Sequence, residues 1–309
     1  MIRIFVLTCM FVISMNLACA TSYKEQQADL MIVKLYQSIP HEKILADRID
    51  WMSSKFLGKP YLLGALGEGS RARYDQYPRY RTDAFDCLTY VNTVLALAFA
   101  GDLASFKTWM AKINYQHGKY AFLERNHFLE IARRPRLHDI TAHFVNAQGV
   151  LVAQRSETWI NQPGWYSRLP PQQIRLLSGN SKIRTARWLE LKDKGQKLSK
   201  QRVIIRYLPL SELFDSNLQP VEFLFAQIPN LAILEIVRPN WRLRDIIGTD
   251  LMVSHLGFVL RTTHGLVFRE ASSIDGVVED VSLVDYLRAS MASPTIKGVR
   301  ILELANSLK

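Results

Sequence analysis

The first half of the chain carries apolar residues at the spacing of amphipathic and buried helices. Leu88–Ala100 is apolar on nearly every face and ends before Gly101, which predicts a helix buried at the centre of the fold. The other predicted helices are two within residues 25–57, separated at Pro40, and those over Asp102–Ile113 and Glu124–Ala132.

The second half changes to short runs rich in β-branched residues, which predict strands. These runs are Arg202–Tyr207, Leu231–Val237, Val253–Leu260, Leu266–Arg269 and Ile296–Leu302, with a short helix over Ser282–Ser290 before the last of them. Helices followed by strands predict an α+β fold with an antiparallel sheet. Residues 147–200 are expected to form an insertion or lobe beyond the minimal fold.

The N-terminus has the pattern of a secretory signal peptide in residues 1–20. A positively charged start precedes a short apolar stretch, and a small-x-small cleavage site ends at Ala20. A lipoprotein signal ending at Cys19 is the weaker interpretation, since Asn16 stands where a branched apolar residue is expected. We therefore expect an exported protein, periplasmic or in the cell envelope, whose residues 21–309 form a single domain without a membrane span.

The charge balance is basic, +11 at pH 7, and falls to +10 once Arg3 leaves with the signal peptide. An exported basic protein is attracted to polyanions such as cell-wall polymers, anionic lipid or nucleic acid. No nucleic-acid-binding motif occurs in the sequence, so nucleic acid is not an expected partner. The glycine-rich stretch 61–69 lacks the Gly-Lys-Ser/Thr of a phosphate loop. No cofactor or metal is expected, and the protein is predicted to be a monomer.

A single cysteine, Cys87, is left once the predicted signal peptide is removed. It stands at the head of the apolar helix, where Asp83 or Asp86 can cap the first turn. The positive end of a helix favours a thiolate, and its free N–H groups can hold an oxyanion. Cys87 is therefore either a nucleophile or a small apolar filler of the core, and its position alone leaves both open.

A histidine on a predicted strand, His255, supplies a candidate general base. Gly257 shares its face and, having no side chain, leaves room for another element such as the thiol-bearing helix. With a two-residue loop at Thr263-His264, Glu270 on the returning strand lies diagonal to His255 on that face. A four-residue loop keeps both on one face, whereas a three-residue loop separates them. A structural histidine and a solvent-facing glutamate are the alternatives.

Several short segments, in order along the chain from about Trp51 to Leu302, carry a family resemblance. These segments are Asp86-Cys87, Ser254–Gly257 and Phe268–Ser273, together with Tyr61–Leu66, Arg125–Phe128, Asp139–Thr141, Ile228–Asn230 and Ile236–Arg238. They resemble the NlpC/P60 papain-like cysteine peptidases, and more closely the N-acetylmuramoyl-L-alanine amidase-like branch of that superfamily, the DUF1460 family.

The resemblance implies a papain-like fold in which a helix-borne cysteine packs on an antiparallel β-sheet that carries the histidine. It also implies peptidoglycan as the substrate, with cleavage of the amide between N-acetylmuramic acid and L-alanine. Cys87 would be the nucleophile and His255 the base. The third position of this branch is usually a histidine. Here Glu270 stands in it, and a carboxylate orients the histidine in other triads.

The resemblance further implies residues beside the reacting groups. Tyr61 matches a tyrosine associated with the oxyanion site and substrate contact in NlpC/P60 enzymes, and an aromatic packed under the glycine-rich turn is the alternative. The other residues expected at oxyanion or substrate-binding positions are Asp86, Asn126, His127 and Ser254. Of these, His127 is expected to line the site or contact substrate without being catalytic, or else to be simply a packed residue.

Three other functions remain open at this point. A γ-D-glutamyl–diamino acid endopeptidase, typical of other NlpC/P60 branches, would cut a different amide of the same polymer. A zinc amidase would need imidazole ligands, and His127, His138 and His143 cluster in the sequence without a recognised metal-ligand spacing. A non-catalytic wall-binding protein would retain the fold without using Cys87 as a nucleophile.

Overall fold

The computed structural model of the protein describes residues 23–40 and 44–305. The predicted signal peptide, with its lipoprotein alternative, lies outside the described residues. The helices are α1 (23–38), α2 (Leu45–Ser54), α3 (Cys87–Phe99), α4 (Leu103–Asn114), α5 (Gln162–Arg168), α6 (Ser181–Gln196), α7 (Leu210–Leu213), α8 (Glu222–Ala226), α9 (Arg244–Ile247) and α10 (Leu283–Ser290). No helix among these has the length and apolar character needed to cross a bilayer.

The strands of the described chain form one antiparallel sheet. They are β1 (Leu137–Asp139), β2 (Gln154–Asn161), β3 (Lys200–Pro209), β4 (Ala232–Val237), β5 (Val253–Thr262), β6 (Gly265–Ala271), β7 (Val278–Ser282) and β8 (Gly298–Leu304). Their order is β2-β3-β8-β4-β5-β6-β7, and β1 pairs with β8 off this path. The predicted α+β class with an antiparallel sheet is confirmed.

Helices cover both faces of the sheet, because side chains that alternate along each strand supply apolar surface to both sides. Leu256, Phe258 and Leu260 of β5 belong to the core shared with α3 and the other N-terminal helices. Val259 of β5 and Phe268 of β6 belong to a second core with α7, α8 and α10. The sheet is therefore the middle layer, with α3 on one face and α10 on the other.

The central helix α3 is buried on nearly all sides, as its sequence predicts. Its residues from Thr89 to Ala98 are all buried. Tyr90 meets Phe258 of the sheet edge-to-face, with ring centroids 6.0 Å apart, and meets Phe85 at 5.8 Å. Because this packing holds α3 against β5, it sets where the start of the helix lies relative to that strand.

The prediction of a helix over Glu124–Ala132 is wrong. Only a single 3-10 turn, Phe122–Glu124, is present there, and an irregular segment follows. The segment makes its hydrogen bonds with distant parts of the chain. The Glu130 carboxylate accepts from the backbone N–H groups of Met252 (2.6 Å) and Val253 (2.9 Å), at the start of β5. Tertiary hydrogen bonds of this kind outweigh local helix propensity.

Residues 147–200 contribute secondary structure that the sequence pattern did not predict. Strand β2 pairs along its whole length with β3 and extends the sheet at that edge. The segment continues into α5 and α6, which pack around Tyr166 and Leu191. The short strands β1 and β7 were also not predicted.

We predict that Phe258→Ala destabilises the protein by about 3–5 kcal/mol, because the ring is fully buried between α3 and the sheet and its removal leaves a cavity. The measurement is denaturant-induced unfolding. Phe223→Ala on α8 is the matched control, since Phe223 is 48% exposed. Similar losses for the two variants would contradict this account of α3 packing.

Candidate active site

Cys87 is the first residue of α3, and Asp86 caps the helix. The Asp86 carboxylate accepts from the Thr89 N–H at 2.8 Å, and the Thr89 hydroxyl accepts from the Asp86 N–H at 2.9 Å, which completes a capping box. The N–H groups of Cys87 and Leu88 have no hydrogen-bond partner in the described part of the chain. Two donors and the positive end of the helix therefore point to the space beside the thiol.

The glycine-rich turn before α3 packs against the capping residue. The second carboxylate oxygen of Asp86 accepts from the Gly64 N–H at 3.0 Å, and the Leu62 N–H donates to the Phe85 carbonyl at 2.8 Å. Tyr61 lies in this segment. Burial raises its pKa to about 12, and the neighbouring Cys87 and Asp86 add to the rise. Tyr61 is therefore a neutral phenol that can donate a hydrogen bond close to the thiol.

The hairpin of β5 and β6 brings His255 to Glu270. Its loop has two residues, 263 and 264, because Thr262 pairs with Gly265, and the register continues to Phe258 opposite Arg269. A two-residue loop is one of the lengths that keep His255 and Glu270 on one face. Nε2 of His255 forms an ion pair with the Glu270 carboxylate, and the two side chains are only 14% and 5% exposed.

The Cys87 thiol lies close enough to the His255 imidazole to interact with it electrostatically. With Nε2 engaged by Glu270, Nδ1 is the ring nitrogen left for the thiol. Burial disfavours the charged ring, but the hydrogen bonds and charges of Cys87 and Glu270 outweigh it, and together they raise the pKa of His255 to about 10. Thiol, imidazole and carboxylate thus form one continuous chain of contacts.

The space beside Gly257 was expected to hold the thiol-bearing helix, but Phe268 and the backbone of Arg269 occupy it. Gly257 does share the face of His255, but that face carries α10 and not α3. A Cβ at Gly257 would lie 2.7 Å from the ring of Phe268 and from the carbonyl oxygen of Arg269. The glycine therefore admits Phe268 of the neighbouring strand, and the expectation that it makes room for the thiol-bearing helix is wrong.

Tyr286 is a residue of the site that the sequence analysis missed. Its ring stacks on His255 with centroids 6.3 Å apart, and it packs on Phe268 at 4.9 Å. Burial, Glu270 and Cys87 all raise the pKa of its phenol. The sequence predicts the helix that carries Tyr286, but no local pattern connects that helix to the face of His255.

Ser254 stands where two cavities meet. Strands β4 and β5 shift register beside it, since Ile236 pairs with His255 while Val237 pairs with Val253, so Ser254 is the extra residue of a β-bulge. One cavity, about 330 Å³, is lined by Cys87, Tyr61 and Ser254. The other, about 510 Å³, is lined by His255, Glu270, Tyr286 and also Ser254. Cys87, His255 and Glu270 thus lie along a cleft with two halves.

Asn126 and His127 both line the cavity on the Cys87 side, yet both are engaged by the protein. The Asn126 amide donates to the Ile113 carbonyl at 2.9 Å. His127 hydrogen-bonds the Phe122 carbonyl through Nε2 at 2.9 Å, and its ring packs against the rings of Phe122 and Trp165. Burial, with a smaller contribution from Arg125, lowers the pKa of His127 to about 3, so the ring is neutral. His127 is therefore part of the cavity wall.

His127, His138 and His143 are not assembled as metal ligands. Within the described residues, no three histidine, cysteine, aspartate or glutamate side chains form a group that could hold a metal ion. His138 lies exposed on β1, and His143 ends a 3-10 turn before Phe144.

A thiol at a helix N-terminus, beside an imidazole that is ion-paired with a carboxylate, can perform nucleophilic acyl transfer. The chain belongs to the N-acetylmuramoyl-L-alanine amidase-like family, since the AmiA-like family model matches residues 51–296. This membership supports a hydrolase that acts on peptidoglycan. No protein of curated function matches the chain.

Solved structures agree with the family. Protein LPG0564 from Legionella pneumophila, described under DUF1460, is 45% identical with a TM-score of 0.89, and the match covers 92% of this chain and 96% of that chain. An N-acetylmuramoyl-L-alanine amidase from Bacteroides uniformis is 21% identical (TM-score 0.55, 83% and 98% covered). A putative xylanase from Bacteroides fragilis is 20% identical (TM-score 0.55, 82% and 99% covered). The two Bacteroides likenesses show the fold alone.

We predict that Asp86→Ala destabilises the protein by about 2 kcal/mol, at the upper end of the range for a lost N-cap. Asp102→Ala is the matched control, because Asp102 caps α4 with the same capping box but lies exposed. It should cost about 1 kcal/mol or less. Asp86 has the larger effect because it is buried and also accepts from Gly64. Denaturant unfolding measures both, and equal losses would contradict the added role of Asp86.

We predict that Glu270→Gln lowers the pKa of His255. In the wild type that pKa is about 10, above the value near 6.5 of an unfolded chain. The charged ring therefore stabilises the fold fully below about pH 6.5, and this stabilisation is lost as the pH rises towards 10. Glu270→Gln should accordingly cost more stability at pH 6, about 3 kcal/mol, than at pH 10.

The measurements are an NMR titration of His255 and denaturant unfolding at both pH values. Glu279→Gln is the control, because Glu279 pairs in register with Glu270 and lines the same cavity without an ion pair to His255. A titration of His255 that is the same in Glu270→Gln and wild type would contradict the ion pair.

Proposed function

We propose that this protein is a peptidoglycan amidase of the NlpC/P60 papain-like type, which cleaves the amide between N-acetylmuramic acid and L-alanine by a cysteine mechanism. The observation that carries the proposal is the contact of one buried imidazole, that of His255, with both Cys87 and Glu270. A structural cysteine that only fills the core has no need of such a partner.

In the first step the Cys87 thiolate attacks the carbonyl carbon of the scissile amide. Charge develops on the carbonyl oxygen, and the free N–H groups of Cys87 and Leu88 lie at the helix N-terminus where an oxyanion can be held. The Tyr61 phenol is a further donor beside the thiol. Imidazolium His255 then protonates the leaving nitrogen of L-alanine, the C–N bond breaks, and a thioester with Cys87 remains.

In the second step water hydrolyses the thioester. Neutral His255 takes a proton from the attacking water, the C–S bond breaks, and the muramic lactyl group leaves as a carboxylic acid. The proton returns the site to its thiolate–imidazolium form. The part of Glu270 is to hold the ring by Nε2 and to stabilise the imidazolium.

The family supports this amide over others of the same polymer, and the basic charge of the protein suits a polyanionic wall. A wall substrate also accords with the predicted export of the chain, with residues 1–20 as a signal peptide and residues 21–309 as one domain. The endopeptidase and the non-catalytic wall-binding protein are the outcomes that the test must separate.

We predict that the wild-type protein releases an intact stem peptide with a free L-alanine amine from defined muropeptides, and that Cys87→Ala lowers the rate at least about 10³-fold. Mass spectrometry of the products identifies the bond. His264→Ala is the matched control for His255→Ala, because His264 lies exposed in the hairpin turn. His255→Ala should be nearly inactive and His264→Ala fully active.

Cleavage after D-glutamate would assign the endopeptidase instead. Identical products and rates from wild type and Cys87→Ala would show that Cys87 is not the nucleophile and would favour a wall-binding protein. Activity that is lost with a chelator but survives a thiol alkylator would point to a metal enzyme and overturn the mechanism.

A further inference from the structure

Arg238 follows directly on β4 and reaches into the cavity on the His255 side. Its Nε donates to the Ser254 hydroxyl at 2.9 Å, and its Nη1 donates to the Thr295 hydroxyl. The guanidinium lies against the ring of Trp241, 4.9 Å from its centroid. Ser254 is the residue before His255, and Arg238, Ser254 and His255 line the same cavity. The cation is therefore bonded to the neighbour of the proposed base.

No carboxylate pairs with Arg238 among residues 23–40 and 44–305. Its two side-chain contacts use neutral hydroxyls, so most of the five N–H donors of the guanidinium remain available. Burial lowers the pKa of Arg238 because the cation is partly removed from water without a counter-ion. A partly buried cation of this kind is usually paired.

The acidic residues that line the same cavity, Glu270, Asp275 and Glu279, make no ion pair with Arg238. Glu270 is paired with His255, and Asp275 accepts from the Ser272 hydroxyl at 3.1 Å. Glu279 lies beside Ser272 and Asp275, burial raises its pKa, and its Oε1 has no hydrogen-bond partner in the described part of the chain. The Arg238 guanidinium therefore has no anionic partner among the described residues of this cavity.

We infer that Arg238 binds a carboxylate of the substrate and thereby fixes the stem peptide in the cavity on the His255 side. This inference rests on the proposed function. The guanidinium fork matches a carboxylate in two parallel hydrogen bonds. Because Arg238 stands beside the base, it selects the carboxylate nearest the scissile amide, which in a stem peptide is the α-carboxylate of the γ-linked D-glutamyl residue.

The experiment compares two muropeptides, one with the D-glutamyl α-carboxylate and one with a carboxamide in its place. We predict that wild-type kcat/KM is about 10- to 100-fold higher for the carboxylate. Arg238→Gln should reduce that preference to about 3-fold or less, chiefly by lowering the rate on the carboxylate substrate. Arg238→Lys should keep part of the preference, since it retains the charge but not the fork.

Arg242→Gln is the matched control, because Arg242 is exposed on the same loop and does not line the cavity. It removes the same charge and should keep the wild-type preference. If Arg238→Gln lowers kcat/KM equally for both substrates, or if the wild type does not distinguish them, the inference is overturned. The comparison of the two substrates with wild-type protein needs no variant. It therefore still tests the inference if Arg238→Gln does not fold.

Binding separates this inference from the proposed function. Each muropeptide is titrated calorimetrically into two proteins, the Cys87→Ala variant and the Cys87→Ala, Arg238→Gln double variant. These titrations measure the carboxylate preference in binding without cleavage. If the wild type cleaves neither muropeptide but the binding preference depends on Arg238, the amidase proposal fails and the carboxylate site stands. Equal binding of the two ligands, or no binding of either, overturns the site.

Discussion

The packing of α3 against β5 is the constraint on which the rest of the structure depends. A helix that is apolar all round has to be enclosed, and Tyr90 and Phe258 hold it against the middle layer of the fold. The start of such a helix leaves backbone N–H groups without partners. Here that start opens onto a cavity and carries Cys87, so the packing which stabilises the fold also positions the thiol and its neighbouring donors.

The thiol and the imidazole come from opposite faces of the sheet. Cys87 belongs to the layer of α3, whereas His255 packs with Phe268 and Tyr286 in the layer of α10. They meet because His255 lies near the beginning of β5, beside the bulge at Ser254, where the ladder with β4 is interrupted. A bulge re-aims the side chains next to it, which explains how one strand contributes to both halves of the cleft.

The elements that could be predicted from sequence are those whose signal is local. The apolar run of α3 specifies its own structure. The turn between β5 and β6 could be placed from sequence but its length could not, and the two-residue loop found there brings Glu270 to His255. The predictions from sequence fail where contacts between residues far apart in the chain determine the structure. Glu130 bonds to the start of β5 instead of forming a helix, and Tyr286 reaches His255 only through the packing of α10 on the sheet. No spacing along the chain encodes such contacts.

The segment 147–200 is coupled to the thiol through hydrogen bonds although it lies far from Cys87 in sequence. Arg175 of this segment donates to the Gly64 carbonyl at 2.5 Å and to the Leu66 carbonyl at 2.7 Å. The Gly64 N–H donates in turn to the Asp86 carboxylate, which caps α3. Arg175 is itself held by the buried Asp75. Because each link is charged or buried, the segment orders the glycine-rich turn and, through it, the helix start that carries Cys87.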